Sequence, residues 1–481
     1  MIEHKLFIFI NAIFNMNKNN DSNSILDVLL NTKFNMGITI AFIAFFLIIS
    51  PLLPDVSWFR LGDFTLDMVN FYHTVMIPFA FLLILYTTDL LSLPGFAKKS
   101  INISTIPVLL LTVLGMVFFY PTSTQYADYV LQALRDVWML VVALIFFIGL
   151  IYFPIKEKQR FKLIWGSYIL ILAATVSAGI AAVMGMVYEY GNLFGYSSIP
   201  FFNSLVNSWG GLQTFLGNLV TSHSHEMLPA VMGGIVAVAA VSFGYEKLNS
   251  TKRTIVNLGM VVSLFGVIAM TYLYIISSFG TYVIPTLFAF GPYGMDGLAE
   301  DDTMTGLVGW GALISILGLY YTTKNEERSE NRLLILSEFF VWLATMAVMV
   351  GVGYAIEFNE AFFGFATPGV PPNGGPGYLY DMAYTNGHLL YAFFMMPMIA
   401  GALILIYRYS STAKIKLLSA YLTLTGVVIG GFGLIYYVIN LHWVLEAIGL
   451  AFVVLAVGVS ALSFFMGESS RKQASMRTAH T

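Results

Sequence analysis

The chain reads as a succession of long apolar stretches separated by short polar ones. A bilayer-spanning helix needs roughly 20 apolar residues. Segments of that kind recur near 37–54, 69–91, 105–121, 131–154, 163–187, 216–243, 254–278, 304–322, 334–356, 383–407, 415–437 and 441–465. In lipid each backbone N–H and C=O must be satisfied within its own segment, so these stretches are expected to be helices. The pattern predicts an all-α polytopic membrane bundle of about twelve transmembrane helices spanning residues 37–465. Residues 1–36 hold a short apolar run, Leu6 to Phe14, and a polar stretch, Asn15 to Ser24. The run is too short to span and no clear cleavage site follows. An interfacial helix and linker fit it better than a signal peptide. The tail, 466–481, is polar from Glu468 onward and is expected to be disordered.

Composition agrees with the pattern. Hydrophobic residues make up 58% of the chain, charged residues 10%, and mean hydropathy is +0.79; a soluble domain carries about 25% charged residues. The 40 Phe and 27 Tyr suit aromatic belts at the two membrane interfaces. There is no cysteine, which excludes disulfides, thiolate metal sites, iron–sulfur clusters and covalently attached c-type haem. A tightly bound metal or haem would have to use His, Met, Asp, Glu or Tyr. No Walker motif, glycine-rich nucleotide loop or broad soluble domain is present, and nothing points to nucleic acid. The segments near 188–215, 279–303 and 357–382 are expected to be caps.

Charge distribution gives an orientation. One set of connecting segments carries Lys98 and Lys99, then Lys156, Lys158, Arg160 and Lys162, then Lys247, Lys252 and Arg253. It continues with Lys324, Arg328 and Arg332, then Arg408, Lys414 and Lys416, and the tail adds Arg471, Lys472 and Arg477. The alternate set holds Asp55, Asp63, Asp67, Asp128, Glu189, Asp296, Glu300, Asp301, Asp302, Glu357, Glu360 and Asp381. Its main basic residues are Arg60 and Arg135. The positive-inside rule then puts the basic set and both termini in the cytoplasm, in the plasma membrane. The acidic face either simply lacks Lys and Arg or docks a basic soluble partner.

Of seven histidines, His4 and His480 lie in the tails. His73, His223, His225, His388 and His442 all fall in the outer third of spans two, six, ten and twelve. Intramembrane ionisable residues are functional candidates by default. The strongest local feature is Ser222-His223-Ser224-His225-Glu226. Residues i and i+2 of a helix point about 200° apart, so the two imidazoles suit separate cofactors on opposite flanks better than one ion. Pro229 removes the N–H that would reach the His225 carbonyl, and a bend is expected there. His442 and Glu446, four residues apart, are expected to share one face of span twelve as a buried, proton-linked or quinol-binding pair. Gly185, Gly430 and Gly431 are expected to permit close helix contact, and the 23 Met to fill space. The inner halves of the spans look uniformly apolar, with no clear polar channel.

His73, His225 and His388 stand four spans apart each time. This resembles the catalytic subunit of the haem–copper oxygen reductase and nitric oxide reductase superfamily, which has twelve spans in three pseudo-equivalent sets of four and ligands in the outer half. Phe71-Tyr72-His73-Thr74-Val75-Met76 resembles its second span, and Asn386-Gly387-His388-Leu389-Leu390-Tyr391 its tenth, with Leu390 where a second His usually stands. The family's span seven carries two adjacent His; the span from Thr254 to Ser278 has none, so copper is not expected. Glu226 resembles the glutamate near the non-haem iron of nitric oxide reductases, without that iron's other ligands.

The resemblance implies a pseudo-threefold bundle carrying two b-type haems. Their ligands would be His73, His223, His225 and His388, with the pairing open, or with one iron left five-coordinate. Arg60 and Arg135 would meet propionates, although Arg135 could equally pair with the adjacent Asp136. The function expected is a membrane cytochrome subunit of a respiratory electron-transfer complex, an oxidoreductase component. Its partners would be other subunits and an extracytoplasmic donor such as a cytochrome, a copper protein or quinol. A secondary transporter and a non-catalytic assembly subunit are the alternatives.

Overall fold

The computed structural model describes residues 25–49, 66–122, 125–195, 200–208, 211–279, 296–322, 328–348, 389–440 and 442–478. All regular structure among them is helical. The helices are α1 (Ile25–Leu29), α2 (Thr32–Ile49), α3 (Leu66–Leu90), α4 (Gly95–Ile103), α5 (Thr105–Thr122), α6 (Gln125–Lys156), α7 (Lys158–Phe194) and α8 (Pro200–Ser208). After them come α9 (Leu212–Ser242), α10 (Ser250–Phe279), α11 (Asp296–Thr322), α12 (Ser329–Met346), α13 (Met396–Tyr409), α14 (Ala413–Asn440) and α15 (Val444–Thr478). Eleven stretches among the described residues are long and apolar enough to cross a membrane. The expected span at 334–356 corresponds to α12, which is not among the eleven; within its 18 residues it carries Glu330, Arg332 and Glu338.

Two helices sit inside a ring formed by the others. In the apolar window of α13 and its approach, Leu390–Tyr409, 94% of residues are buried, and in α9 78%, against 28% for α6. Helices buried all round should be apolar all round, and the Ile235–Ala240 stretch of α9 is built only of Ile, Val and Ala. Around this pair run α2, α3, α5, α6, α7, α10, α11, α12, α14 and α15, each packed on the next and α15 closing on α2.

Local sequence explains most irregularities. Leu389–Met395 is a π-helical turn, and Pro397, which cannot donate an N–H, stands at the start of the α-helix that follows. The backbone of α7 leaves helical angles at Ile164 (φ −116°, ψ 20°). By contrast α9 runs unbroken through Pro229, so the expected bend is not expressed as a helix break. The cap expected at 188–215 contains the end of α7 and the short α8, while Glu300, Asp301 and Asp302 lie within α11.

The tail departs from expectation. It is helical to Thr478 as a continuation of α15. No Pro or Gly interrupts it beyond Gly467, and Glu468 and Lys472 stand at the i, i+4 spacing that supports a helix.

Basic and polar side chains bind one end of the bundle together. Arg160 of α7 donates to Glu246 Oε1 (2.6 Å) and to the carbonyl of Leu90 at the end of α3 (2.9 Å). Asp89 accepts from the Tyr409 hydroxyl (2.7 Å) and pairs with Lys98 and Arg408. Lys416 at the start of α14 reaches Asn331 Oδ1 (2.6 Å) on α12 and the carbonyl of Tyr407 (3.2 Å). The segments grouped by charge in the sequence therefore meet at one end.

Candidate functional site

Three helices bring a histidine pair together. α3 supplies His73, α9 supplies His223, and α7 supplies the surface on which His223 lies. His223 Nδ1 stands 2.8 Å from the carbonyl oxygen of Ala181. A carbonyl only accepts, so Nδ1 carries the hydrogen, and in the neutral ring Nε2 keeps its lone pair. Gly185, one turn beyond Ala181, makes room: a Cβ there would stand 2.8 Å from His223 Nδ1 and 2.9 Å from Cε1. The rings of His73 and His223 face each other at 5.9 Å between centres, 27° from parallel.

His225 has its Nδ1 3.1 Å from the Ser224 hydroxyl. The next residue, Glu226, is fully buried, and among the described residues neither carboxylate oxygen has a hydrogen-bond donor in range and alignment. Thr271 of α10 faces it, but the Thr271 hydroxyl gives its hydrogen to the carbonyl of Val267 (3.0 Å) and accepts from Ser177 of α7.

The other candidates divide. Arg60 and His388 lie outside the described residues. Arg135 is buried and its Nε donates to Asp136 Oδ1 (3.1 Å), the intrahelical pairing open to it from sequence. His442 and Glu446 do not share a helix face. α14 ends at Asn440 and α15 begins only at Val444, so His442 belongs to the exposed connection and stacks on Tyr436 (6.4 Å, 27°). Glu446 is fully buried, pressed against α14 where a Cβ on Gly433 would strike its backbone. Gly430 and Gly431 receive the ring of Tyr391, and Gly430 also meets Gly449, as expected of contact glycines.

Sequence reasoning passed over Glu338. It is fully buried in α12, its Oε1 accepts from Trp342 Nε1 (3.1 Å), and its Oε2 has no donor among the described residues. The spans are thus not uniformly apolar toward the basic end. The signal was available: a glutamate with a tryptophan four residues on, inside an otherwise apolar run.

Among the described residues no three His, Asp or Glu side chains converge as a cage for a bare metal ion. No protein-family model, no curated protein and no solved structure matches the chain.

Proposed function

We propose that this chain is a haem b-type cytochrome subunit of a respiratory electron-transfer complex, with His73 and His223 as an axial ligand pair. The observation that carries the reading is the wiring of His223. Its Nδ1–H is held by the Ala181 carbonyl, the arrangement that orients a metal-bound imidazole and leaves Nε2 free to ligate. The His73 ring lies beside it, with ring centres 5.9 Å apart.

A haem held there supplies one-electron transfer. The chain's part is orientation: Ala181 fixes the tautomer, and Gly185 lets the ring lie against α7. A second haem would use His225 with His388. The twelve-span, pseudo-threefold arrangement, the plasma membrane, and cytoplasmic termini complete the reading, supported by the gathering of basic segments at one end. An extracytoplasmic donor, cytochrome, copper protein or quinol, would then approach the acidic face. Secondary transport is the second reading, favoured by the buried carboxylates of Glu226, Glu338 and Glu446.

The test is a dithionite-reduced minus oxidised spectrum of the purified protein, with haem extracted and counted. Low-spin haem lost on either His73→Ala or His223→Ala is the expected result. A colourless protein after careful purification overturns it.

A further inference from the structure

Helices α12, α14 and α15, which pack on one another in turn, carry buried polar atoms that no donor or acceptor among the described residues satisfies: Glu338 Oε2, Ser419 Oγ, Thr423 Oγ1 and both oxygens of Glu446. All four residues are fully buried. Buried groups of this kind ordinarily find a partner in the protein or in internal water, so four in succession along one seam need a common account.

Their register can be read from contacts. Lys416 of α14 bonds Asn331 of α12, and farther along, the Cβ position of Gly431 faces Val348, just past the end of α12. The two helices therefore run side by side with residue n of α12 level with about n+83 to n+85 of α14. That sets Glu338 level with Thr423, and Ser419 one turn nearer the basic end.

Beyond Thr423 the Tyr391 hydroxyl donates to the carbonyl of Val427 (2.6 Å). Beyond that, Gly433 abuts Glu446, two residues into α15 and next to the exposed segment at His442. From Lys416 to Gly433 the helix rises about 25 Å, close to the thickness of a hydrocarbon core, about 30 Å. Among the described residues, the titratable groups facing Glu446 are Tyr391 and Tyr437; Trp342 donates to Glu338, and no charged side chain among them faces Glu338.

We propose that Ser419, Glu338, Thr423, Tyr391 and Glu446 form a transmembrane proton-transfer path along α14. A proton entering from water at the Lys416 end is taken by Glu338 Oε2. The carboxyl releases it through internal water past Thr423 and Tyr391 to Glu446, which returns it to water at the His442 end. Each carboxylate ends as it began, and no oxidant or reductant takes part. The path is independent of the histidine pair.

The experiment uses the full chain in liposomes loaded with a pH-sensitive dye, with a potassium–valinomycin potential and no electron donor. Wild-type protein should carry protons well above protein-free vesicles. Glu338→Gln, Thr423→Val and Glu446→Gln should each cut the flux at least tenfold, with elution profile and thermal unfolding confirming that each variant folds. Thr423→Val together with Ser419→Ala keeps the test alive if a glutamate variant fails to fold. Flux no greater than that of empty vesicles, or flux unchanged in the folded variants, overturns the proposal.

Discussion

Gly185 of α7 lies directly against the imidazole of His223 of α9, so close that a methyl group on it would sit 2.8 Å from Nδ1. Gly185→Ala therefore sets two effects against each other. The helix gains about 1 kcal/mol of propensity, but the new Cβ forces His223 away from the Ala181 carbonyl and overpacks a buried contact, at a cost of about 1–3 kcal/mol. A net loss of stability is expected by thermal unfolding in detergent. If His223 is a haem ligand, haem content should fall with it. A stabilised protein with unaltered absorbance would contradict both the contact and its role.

The connection between α14 and α15 separates His442 from Glu446, and this predicts unequal consequences. His442 is exposed and touches Tyr436, whereas His223 is held by α7. His442→Ala should leave stability within about 0.5 kcal/mol of wild type, as exposed substitutions usually do, and should leave any haem spectrum unchanged. A loss of haem in His442→Ala comparable to that in His223→Ala would contradict this placement of His442.

The histidines and the apolar periodicity were legible because both are one-dimensional signals. Span positions, contact glycines and the grouping of basic segments follow from hydropathy and charge alone. What was not legible depends on where a helix begins and what stands opposite. The i, i+4 spacing of His442 and Glu446 promised a shared face, but two residues of connection before Val444 removed it. Glu338 drew no attention in the sequence, yet it is fully buried and accepts from Trp342. Pairing of His73 with His223, rather than with His225, required knowing which flank of α9 meets α3 and α7.

Two glycines of α15 should respond oppositely to the same change. A Cβ on Gly449 would run into the backbone of Gly430, whereas one on Gly458 would meet only Ile48 Cδ1, at 4.0 Å. Gly449→Ala must push α14 and α15 apart and should cost about 1–3 kcal/mol or more. Gly458→Ala should be neutral or stabilising by up to about 1 kcal/mol. Unfolding midpoints of the two variants, measured side by side, check the crossing.

Tyr245, in the short 3₁₀ turn Tyr245–Lys247 between α9 and α10, gives a pH signature. Burial pushes its phenol up from 10.0 to about 12, against smaller opposing effects of Arg253 and of the Gly166 backbone, and its hydroxyl donates to Asn257. A group whose folded pKa is raised contributes stability that is complete below its unfolded pKa and is lost as pH rises through the folded one. Stability from Tyr245 should thus be intact below pH 10 and decline between pH 10 and about 12, by at most roughly 3 kcal/mol in all. Tyr245→Phe should flatten that part of the stability profile relative to wild type. Identical alkaline slopes in the two proteins would show that Tyr245 does not supply it.

At the basic end Asn35 and Asn102 form a buried amide pair that joins α2 to α4. Asn35 Nδ2 donates to Asn102 Oδ1 (2.9 Å) and to the carbonyl of Leu29 (2.8 Å). Asn102 Nδ2 donates to Thr32 Oγ1 (2.9 Å) and to the carbonyl of Lys98 (2.7 Å). Either single Ala substitution leaves the partner amide buried and partly unpaired, a penalty of about 1–3 kcal/mol. The double substitution removes both groups together, so its cost should fall short of the sum by about 1 kcal/mol. A double-mutant cycle on unfolding free energies measures this coupling directly. Strict additivity would mean that the two amides act independently, and that packing alone holds α2 against α4.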